Sequence, residues 1–343
     1  MTASPSPTTR APFARAEDVD LFLETLGKFE RGEITADAWR GFRLLNGTYG
    51  QRQEGDLSML RVKIPQGVLE AAQLRALAEV ADRWSRGFCH LTTRQNVQFH
   101  FVKLAEVEPA MRLIADAGVT TKEACGNSVR NITCCPRAGV AKDEVFDPTP
   151  YGEALTRHLL RHPLSSTLPR KFKMAFEGCP EDHALTSIHD LGFRARISTE
   201  GGAPRRGFEV RAGGGTATLP TSARVLVDFL PADDILALAE AVLAVFHRMG
   251  ERKNKNAARM KWLIRKIGWD AFRAEFETEL AAVRARGAPH LPFPPDDPPA
   301  EAAPAWERPA APAPEVLAAG VRATALRGPG ILPVVGEDPD GER

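Results

Sequence analysis

The 343-residue chain has no apolar run near the roughly 20 residues that a membrane-spanning helix needs. That excludes a helical membrane protein. Its first fifteen residues, rich in Pro, Ser and Thr, have no apolar core segment, so they read as disordered rather than as a signal peptide. Charge of one sign is also missing: 45 Lys and Arg stand against 44 Asp and Glu, for a net charge of +1. No bulk field draws the chain to nucleic acid or to an anionic membrane, and any anion site must be a local cluster of cations. Cysteine is sparse and odd in number, five in a long chain, which excludes a secreted disulfide framework and points to reduced thiols in the cytoplasm. A phosphate loop is absent as well. Gly213-Gly214-Gly215 is followed by no helix with the required Lys and reads as a hairpin connection.

What is present is ordinary for two domains with real cores: 43% hydrophobic and 26% charged residues. Apolar spacing predicts a helical extension over 16–50, with Thr35 capping its second helix. Over 51–119 the pattern is strand (Met59–Ile64), helix (Val68–Trp84), two strands (Phe88–Thr92, Val97–Val102) and helix (Glu106–Ala117). That order is a ferredoxin-like half-domain lacking its last strand, which should leave an apolar sheet edge or face uncovered. Residues 120–286 predict a second α+β domain. Its helices are expected at Tyr151–Arg161, Ala232–Met249, Ala257–Ile267 and Trp269–Val283, and its strands at Leu168–Phe176, Phe193–Ile197 and Phe208–Ala212. From 287 to 343 the composition turns to Pro, Ala, Asp and Glu and reads as a largely disordered tail with weak apolar runs at Val316–Val321 and Ile331–Val335. The fold class is therefore α+β.

The stretch Ala124–Pro136 is short of bulky apolar residues and rich in small polar ones around a single guanidinium, Arg130. It reads as backbone that approaches a large polar ligand, with Gly126 allowing the approach. Three other cations sit beside strands or turns: Arg94, Lys171 and Lys173. Two lysines two apart on a strand share a face. Their repulsion is about 4 kcal/mol at about 4 Å and an effective dielectric near 20, and an anion between them reverses its sign. The plainer alternative for this pair is a solvated strand face. His90 and His100 read as hydrogen-bonded strand residues.

Several segments together resemble the siroheme-dependent sulfite and nitrite reductase family. They are Leu60–Gly67, His90–His100 with its Leu91-Thr92-Thr93-Arg94-Gln95, Cys125–Asn131, Leu168–Lys173 and Ile188–Phe193, with looser matches at Asn46–Gln51 and Arg259–Ile264. They run in order from about residue 40 to 285. The resemblance implies a siroheme-type domain over 120–286 and an oxidoreductase that reduces sulfite to sulfide or nitrite to ammonia. It implies that Arg94, Arg130, Lys171 and Lys173 hold the oxyanion, and that Thr92, Thr93, Gln95, Asn127, Asn131 and Thr133 are donors for the siroheme carboxylates. Lys173 leans toward sulfite, since nitrite specialists of the family tend to have Asn there. A ferredoxin or flavoprotein is the implied electron donor.

The family's second half carries C-x5-C and C-x3-C, which hold a [4Fe–4S] cluster, and this sequence has neither spacing. The cluster is therefore expected through a second-half polypeptide or a homodimer, and the alternative is a non-catalytic siroheme- or anion-binding remnant. Cys179-Pro180-Glu181-Asp182-His183 stands where the duplicated half carries C-x3-C. With Cys125 and Cys134 it offers a Cys3His set, against the reading that these residues are relics of the duplication.

Overall fold

Alternation of apolar and polar residues builds the first sheet. In the computed structural model, which describes residues 10–53 and 56–300, helices α1 (Ala16–Glu30) and α2 (Ala36–Leu45) lead into strand β1 (Thr48–Gly50). Thr35 caps α2, its hydroxyl accepting from the Ala38 N–H at 3.2 Å. Then follow β2 (Leu57–Val62), α3 (Ala71–Trp84), β3 (His90–Leu91), β4 (Val97–Lys103) and α4 (Val107–Asp116). The strands lie in the order β1-β2-β4-β3, all antiparallel. One face carries Leu60, Val62, Val97 and Phe99, which join Leu77, Val80, Met111 and Ile114 of α3 and α4 in a buried core. This is the ferredoxin-like half-domain. On the opposite face Arg61 pairs in register with Gln98, and Gln98 with His90, so that face is polar. The apolar exposure lies at the edge instead, where Leu91 is 73% and Phe88 46% exposed.

The second sheet follows chain order: β5 (Thr133–Cys134), β6 (Met174–Glu177), β7 (Leu191–Ser198), β8 (Arg205–Ala212) and β9 (Arg224–Pro231). The β5-β6 and β6-β7 pairs are parallel and the last two antiparallel. Helix α5 (Thr149–Leu159) stands between β5 and β6 in sequence, and α6 (Ile235–Met249), α7 (Met260–Ile267) and α8 (Trp269–Ala285) follow β9. Helix α6 is apolar nearly all round because it lies inside the second core, packed against α8. Among the described residues no helix is long and apolar enough to cross a membrane.

The structure departs from the sequence expectations in several places. The strand expected over Leu168–Phe176 begins only at Met174; before it, Phe172 alone makes a bridge, to Val129. Pro169 has no N–H to give, and β5 next door is only two residues long. Strands β1, β5 and β9 stand where the sequence predicts none. Residues 10–15, expected to be disordered, are anchored: Phe13 is buried and its N–H donates to the Gly118 carbonyl at 2.8 Å, while Arg10 pairs with Glu153. The stretch 287–299 is likewise anchored at points. Leu291 is buried, and the Tyr151 hydroxyl donates to the Pro295 carbonyl at 2.6 Å. The apolar runs at Val316–Val321 and Ile331–Val335 lie outside the described residues.

The stretch Ala124–Pro136 is more deeply packed than its composition suggests. Most of it is interior: Ala124, Cys125, Ser128, Val129, Asn131, Ile132, Cys134 and Cys135 are all buried. It threads between the two cores, and its backbone is satisfied from several directions. Val129 N–H donates to Ser165 O, Arg130 N–H to Phe172 O, Cys135 N–H to Phe176 O, and Ile132 O accepts from Gln66 N–H. Gly126 is needed for its positive φ of 76° and because a Cβ there would sit 3.0 Å from Leu45 of α2.

Candidate active site

The site begins with what that connecting stretch does present to solvent. Asn127 is exposed and Arg130 partly so. Arg130 is aimed by its own backbone turn, Nε donating to Gly126 O at 3.1 Å and a terminal nitrogen to Ala124 O at 3.3 Å. It opens on a cleft of about 670 Å³ lined by Arg40 and Arg43 of α2, Arg61 of β2, Arg130, Arg170, Lys171 and Lys255, with no carboxylate among the lining residues. Gly50 leaves the space in which the Arg43 guanidinium lies, since a Cβ there would meet it at 2.6 Å. The buried Nε of Arg43 has no hydrogen-bond partner, and burial lowers its pKa. Cys125 also lines this cleft, its thiol pushed up by burial.

Next to the cleft stand the other expected cations. Phe172 is fully buried against Phe246, with ring centroids 5.7 Å apart, and turns half-buried Lys171 and Lys173 the other way. Burial, then the positive charge of Arg130 and Arg259, lowers Lys171 to about 8. Burial, then Arg94, Arg259 and Lys171, lowers Lys173 to about 8. Arg94 and Arg130 fall to about 10, burial again being the largest cause. All four expected cations therefore feel one another's field or that of shared neighbours. Such crowding is costly without an anion.

Two residues organise this cluster without being exposed to it. Asp190 is fully buried. It accepts from Arg259 Nε at 3.1 Å and NH2 at 2.7 Å, and from the Lys173 backbone N–H at 2.8 Å. His189 donates from Nδ1 to Leu185 O at 2.8 Å, so its Nε2 accepts from Arg94 at 2.7 Å. Burial, then Arg94, lowers His189 to about 3, which keeps it neutral and able to accept. Both lie within a segment singled out in the sequence, but their partners stand 69 and 95 residues away, a proximity no local pattern reveals.

The expected cofactor donors divide. Asn127 faces the cleft and Thr93 is exposed. Thr92, Gln95, Asn131 and Thr133 each have backbone partners. Thr92 Oγ1 closes the Arg94 turn by accepting from Arg94 and Asn96 N–H. Gln95 clamps Cys134, donating to its carbonyl at 2.7 Å and accepting its N–H at 3.0 Å. Asn131 donates to Ile64, Arg94 and Gln95 carbonyls, and Thr133 to Met174 O. The physical reason is common to these residues: backbone groups at the seam between two sheets have no ladder to join, and side-chain amides and hydroxyls replace it. Conversely, the sequence reading leaves out Arg40, Arg43, Arg61, Arg170 and Lys255. Arg61 carried a signal, a charge at an outward position between Leu60 and Val62.

The Cys3His set is not assembled. Cys125 faces Gly47 O at 3.9 Å beside the cleft, and Cys134 lies in the second core. Cys179 and His183 instead meet Cys135 and Glu177. Cys89 is exposed, and all five cysteines are free. Four thiols do not converge, so these residues do not fit a [4Fe–4S] cluster.

Both sheets, Thr48 apart, lie within stretches that resemble known proteins. Residues 49–117 match the nitrite/sulfite reductase ferredoxin-like half domain, and residues 125–283 the nitrite and sulphite reductase 4Fe-4S domain. A ferredoxin–nitrite reductase of Leptolyngbya laminosa is 34% identical over 237 residues, 67% of this chain and 46% of that protein. A sulfite reductase [ferredoxin] of Mycobacterium tuberculosis is 34% identical over 226 residues, 66% of this chain and 40% of that protein. The chain thus spans less than half the length of these curated relatives. The solved structure of Mycobacterium tuberculosis NirA protein superposes with a TM-score of 0.67 at 30% identity, covering 82% of this chain and 54% of that one. Dissimilatory sulfite reductase I, at 13% identity and a TM-score of 0.53, shares the fold.

Proposed function

This chain belongs to the nitrite and sulfite reductase family, and from that premise we propose that it forms the anion-holding wall of a siroheme-type reductase, with sulfite preferred over nitrite. One observation carries the reading: a cleft lined by seven cations and no carboxylate, with a buried guanidinium nitrogen left without a partner. A tetrapyrrole bearing many carboxylates fits that donor set. Arg40, Arg43, Arg61, Arg170 and Lys255 are the residues to hold it, with Asn127 as a neutral donor. When bound, siroheme supplies the iron that takes the oxyanion and the route by which electrons reach it.

The chain's own residues do the rest. Arg130 and Lys171, with Arg94 and Lys173 beside them, attract and orient the oxyanion, and their field strengthens as negative charge develops on its oxygens. The Nζ atoms of Lys171 and Lys173, with pKa values near 8, hold protons at neutral pH that are readily given to an oxygen leaving as water. His189 fixes the Arg94 fork, and Asp190 fixes the backbone at Lys173. The preference for sulfite rests on Lys173. Cluster ligands would come from a second-half polypeptide, the donor being a ferredoxin as in the names of the relatives.

The test is reconstitution of the full chain with siroheme and a second-half reductase polypeptide, followed by assay of sulfite-dependent oxidation of reduced viologen. Turnover lost in Lys171→Met and Arg94→Met supports the reading. Saturable siroheme binding without turnover would instead favour a non-catalytic binding module, the reading that the scattered cysteines favour. No siroheme binding defeats both.

A further inference from the structure

Away from the cleft, four potential metal ligands meet at the C-terminal ends of β5 and β6. Cys135 follows β5, Glu177 ends β6, and Cys179 and His183 stand on the loop beyond it. Cys135 Sγ lies 3.9 Å from Cys179 Sγ and 3.9 Å from His183 Nδ1, and that nitrogen lies 4.0 Å from a Glu177 carboxylate oxygen. All four donor atoms fall within 4.8 Å of one another, three of the residues being buried and His183 partly so.

We propose that Cys135, Glu177, Cys179 and His183 form a tetrahedral site for a single zinc ion. A zinc–sulfur bond of about 2.3 Å at the tetrahedral angle spaces two thiolates about 3.8 Å apart, and a thiolate and an imidazole nitrogen about 3.6 Å apart. The two distances to Cys135 Sγ need only a few tenths of an ångström of contraction, and the 4.0 Å from His183 to Glu177 about 0.6 Å. The same closeness excludes a [4Fe–4S] cluster, whose cysteines bind different irons and stand much farther apart. Two thiolates and an imidazole also select zinc over magnesium or calcium.

The surroundings are built for such an ion. The Arg137 N–H points at Cys135 Sγ from 3.4 Å, as a donor to a thiolate does. The loop wraps Glu177, whose oxygens accept from Cys179 N–H at 2.8 Å and Ala184 N–H at 2.7 Å, each oxygen keeping a lone pair for a metal. His183 turns Nδ1 inward, while Nε2 lies 3.3 Å from the Arg137 guanidinium and 3.4 Å from the Glu181 carboxylate. Binding through Nδ1 puts the ring proton on Nε2, which then donates to Glu181 and turns away from Arg137. Zinc displaces the two thiol protons to solvent. The loop runs on to His189 and Asp190, so the ion fixes from one end the segment that holds Arg94 and the Lys173 backbone.

The experiment is a titration of the full chain, reduced and metal-free, with Co²⁺ and then Zn²⁺, read by absorbance and by metal content. One ion per chain is expected, with tetrahedral ligand-field bands and thiolate-to-cobalt charge transfer that zinc abolishes. Cys179→Ser and His183→Ala should each weaken binding by about 100-fold and Glu181→Gln by about 10-fold, with Cys89→Ser unchanged. Absence of thiolate–cobalt bands in the wild-type chain overturns the proposal whether or not the variants fold. So does equal binding by Cys179→Ser, a Cys135–Cys179 disulfide recovered in place of the ion, or iron with labile sulfide.

Discussion

The two ends of the segment Ala124–Pro136 solve opposite problems. At its start, Arg130 faces a cleft that gathers like charges with no carboxylate in its lining. At its end, Cys135 joins Glu177, Cys179 and His183, a set of electron-pair donors. One end is complementary to an anion and the other to a metal ion. Crowding of like groups in a folded protein is tolerated when a ligand relieves it or when neighbouring structure holds the groups in place. At the cleft that support is Asp190 and His189; at the corner it is the loop folded over Glu177.

The contrast can be broken most severely at Asp190. Asp190→Asn leaves buried Arg259 unpaired beside Arg94 and Lys173, and urea unfolding should show a loss of about 3–5 kcal/mol; a loss below about 1 kcal/mol would show that Asp190 does not hold the cluster together. Next in size is Arg130→Ala combined with Lys171→Ala. Removal of two charge-assisted contacts should weaken siroheme or sulfite binding by roughly 100-fold or more, while thermal stability stays level or rises because like charges have gone. A fall in stability alongside unchanged binding would reverse the assignment.

The pH dependence comes third. The unfolded chain keeps Lys171 and Lys173 protonated up to about 10.5, whereas the folded chain releases those protons near 8. Between these values the unfolded state binds more protons, so stability rises with pH across that window, and the cost is fully present below pH 8. Discounted for solvent exposure, it is about 1 kcal/mol per lysine. The thiols of Cys125, Cys134, Cys135 and Cys179, raised by burial, act in the opposite direction over this window, so the lysine contribution is read as the part of the change between urea titrations at pH 7 and pH 9.5 that saturating sulfite removes. Buried Lys63, also lowered to about 8, adds to the rise but is indifferent to sulfite. The smallest effect expected is Lys173→Asn, a shift of about 10-fold from sulfite toward nitrite in the assembled reductase.

Much of the fold could be read in the sequence because its signals are local. Alternation at Leu60–Val62 and the helical stripe of Leu77 and Val80 pick out β2 and α3 without reference to anything distant. That Arg94, Arg130, Lys171 and Lys173 stand near one another could be read from the resemblance. The roles of the neutral polar residues could not. Gln95 and Asn131 are the right chemical types for a cofactor, and only the three-dimensional arrangement shows their amides occupied by backbone at the seam. The thiols were hidden for the same reason: Cys134 and Cys135 are adjacent in sequence, and strand geometry sends one into the core and the other to Cys179.

The cleft is proposed to hold a polyanionic tetrapyrrole. Spectrophotometric titration of the full chain with siroheme, at low and high salt, tests it most directly. Saturable 1:1 binding is predicted, weakening with salt and strongly reduced in the Arg130→Ala, Lys171→Ala variant. Absence of saturable binding, or binding indifferent to both salt and those substitutions, would contradict it.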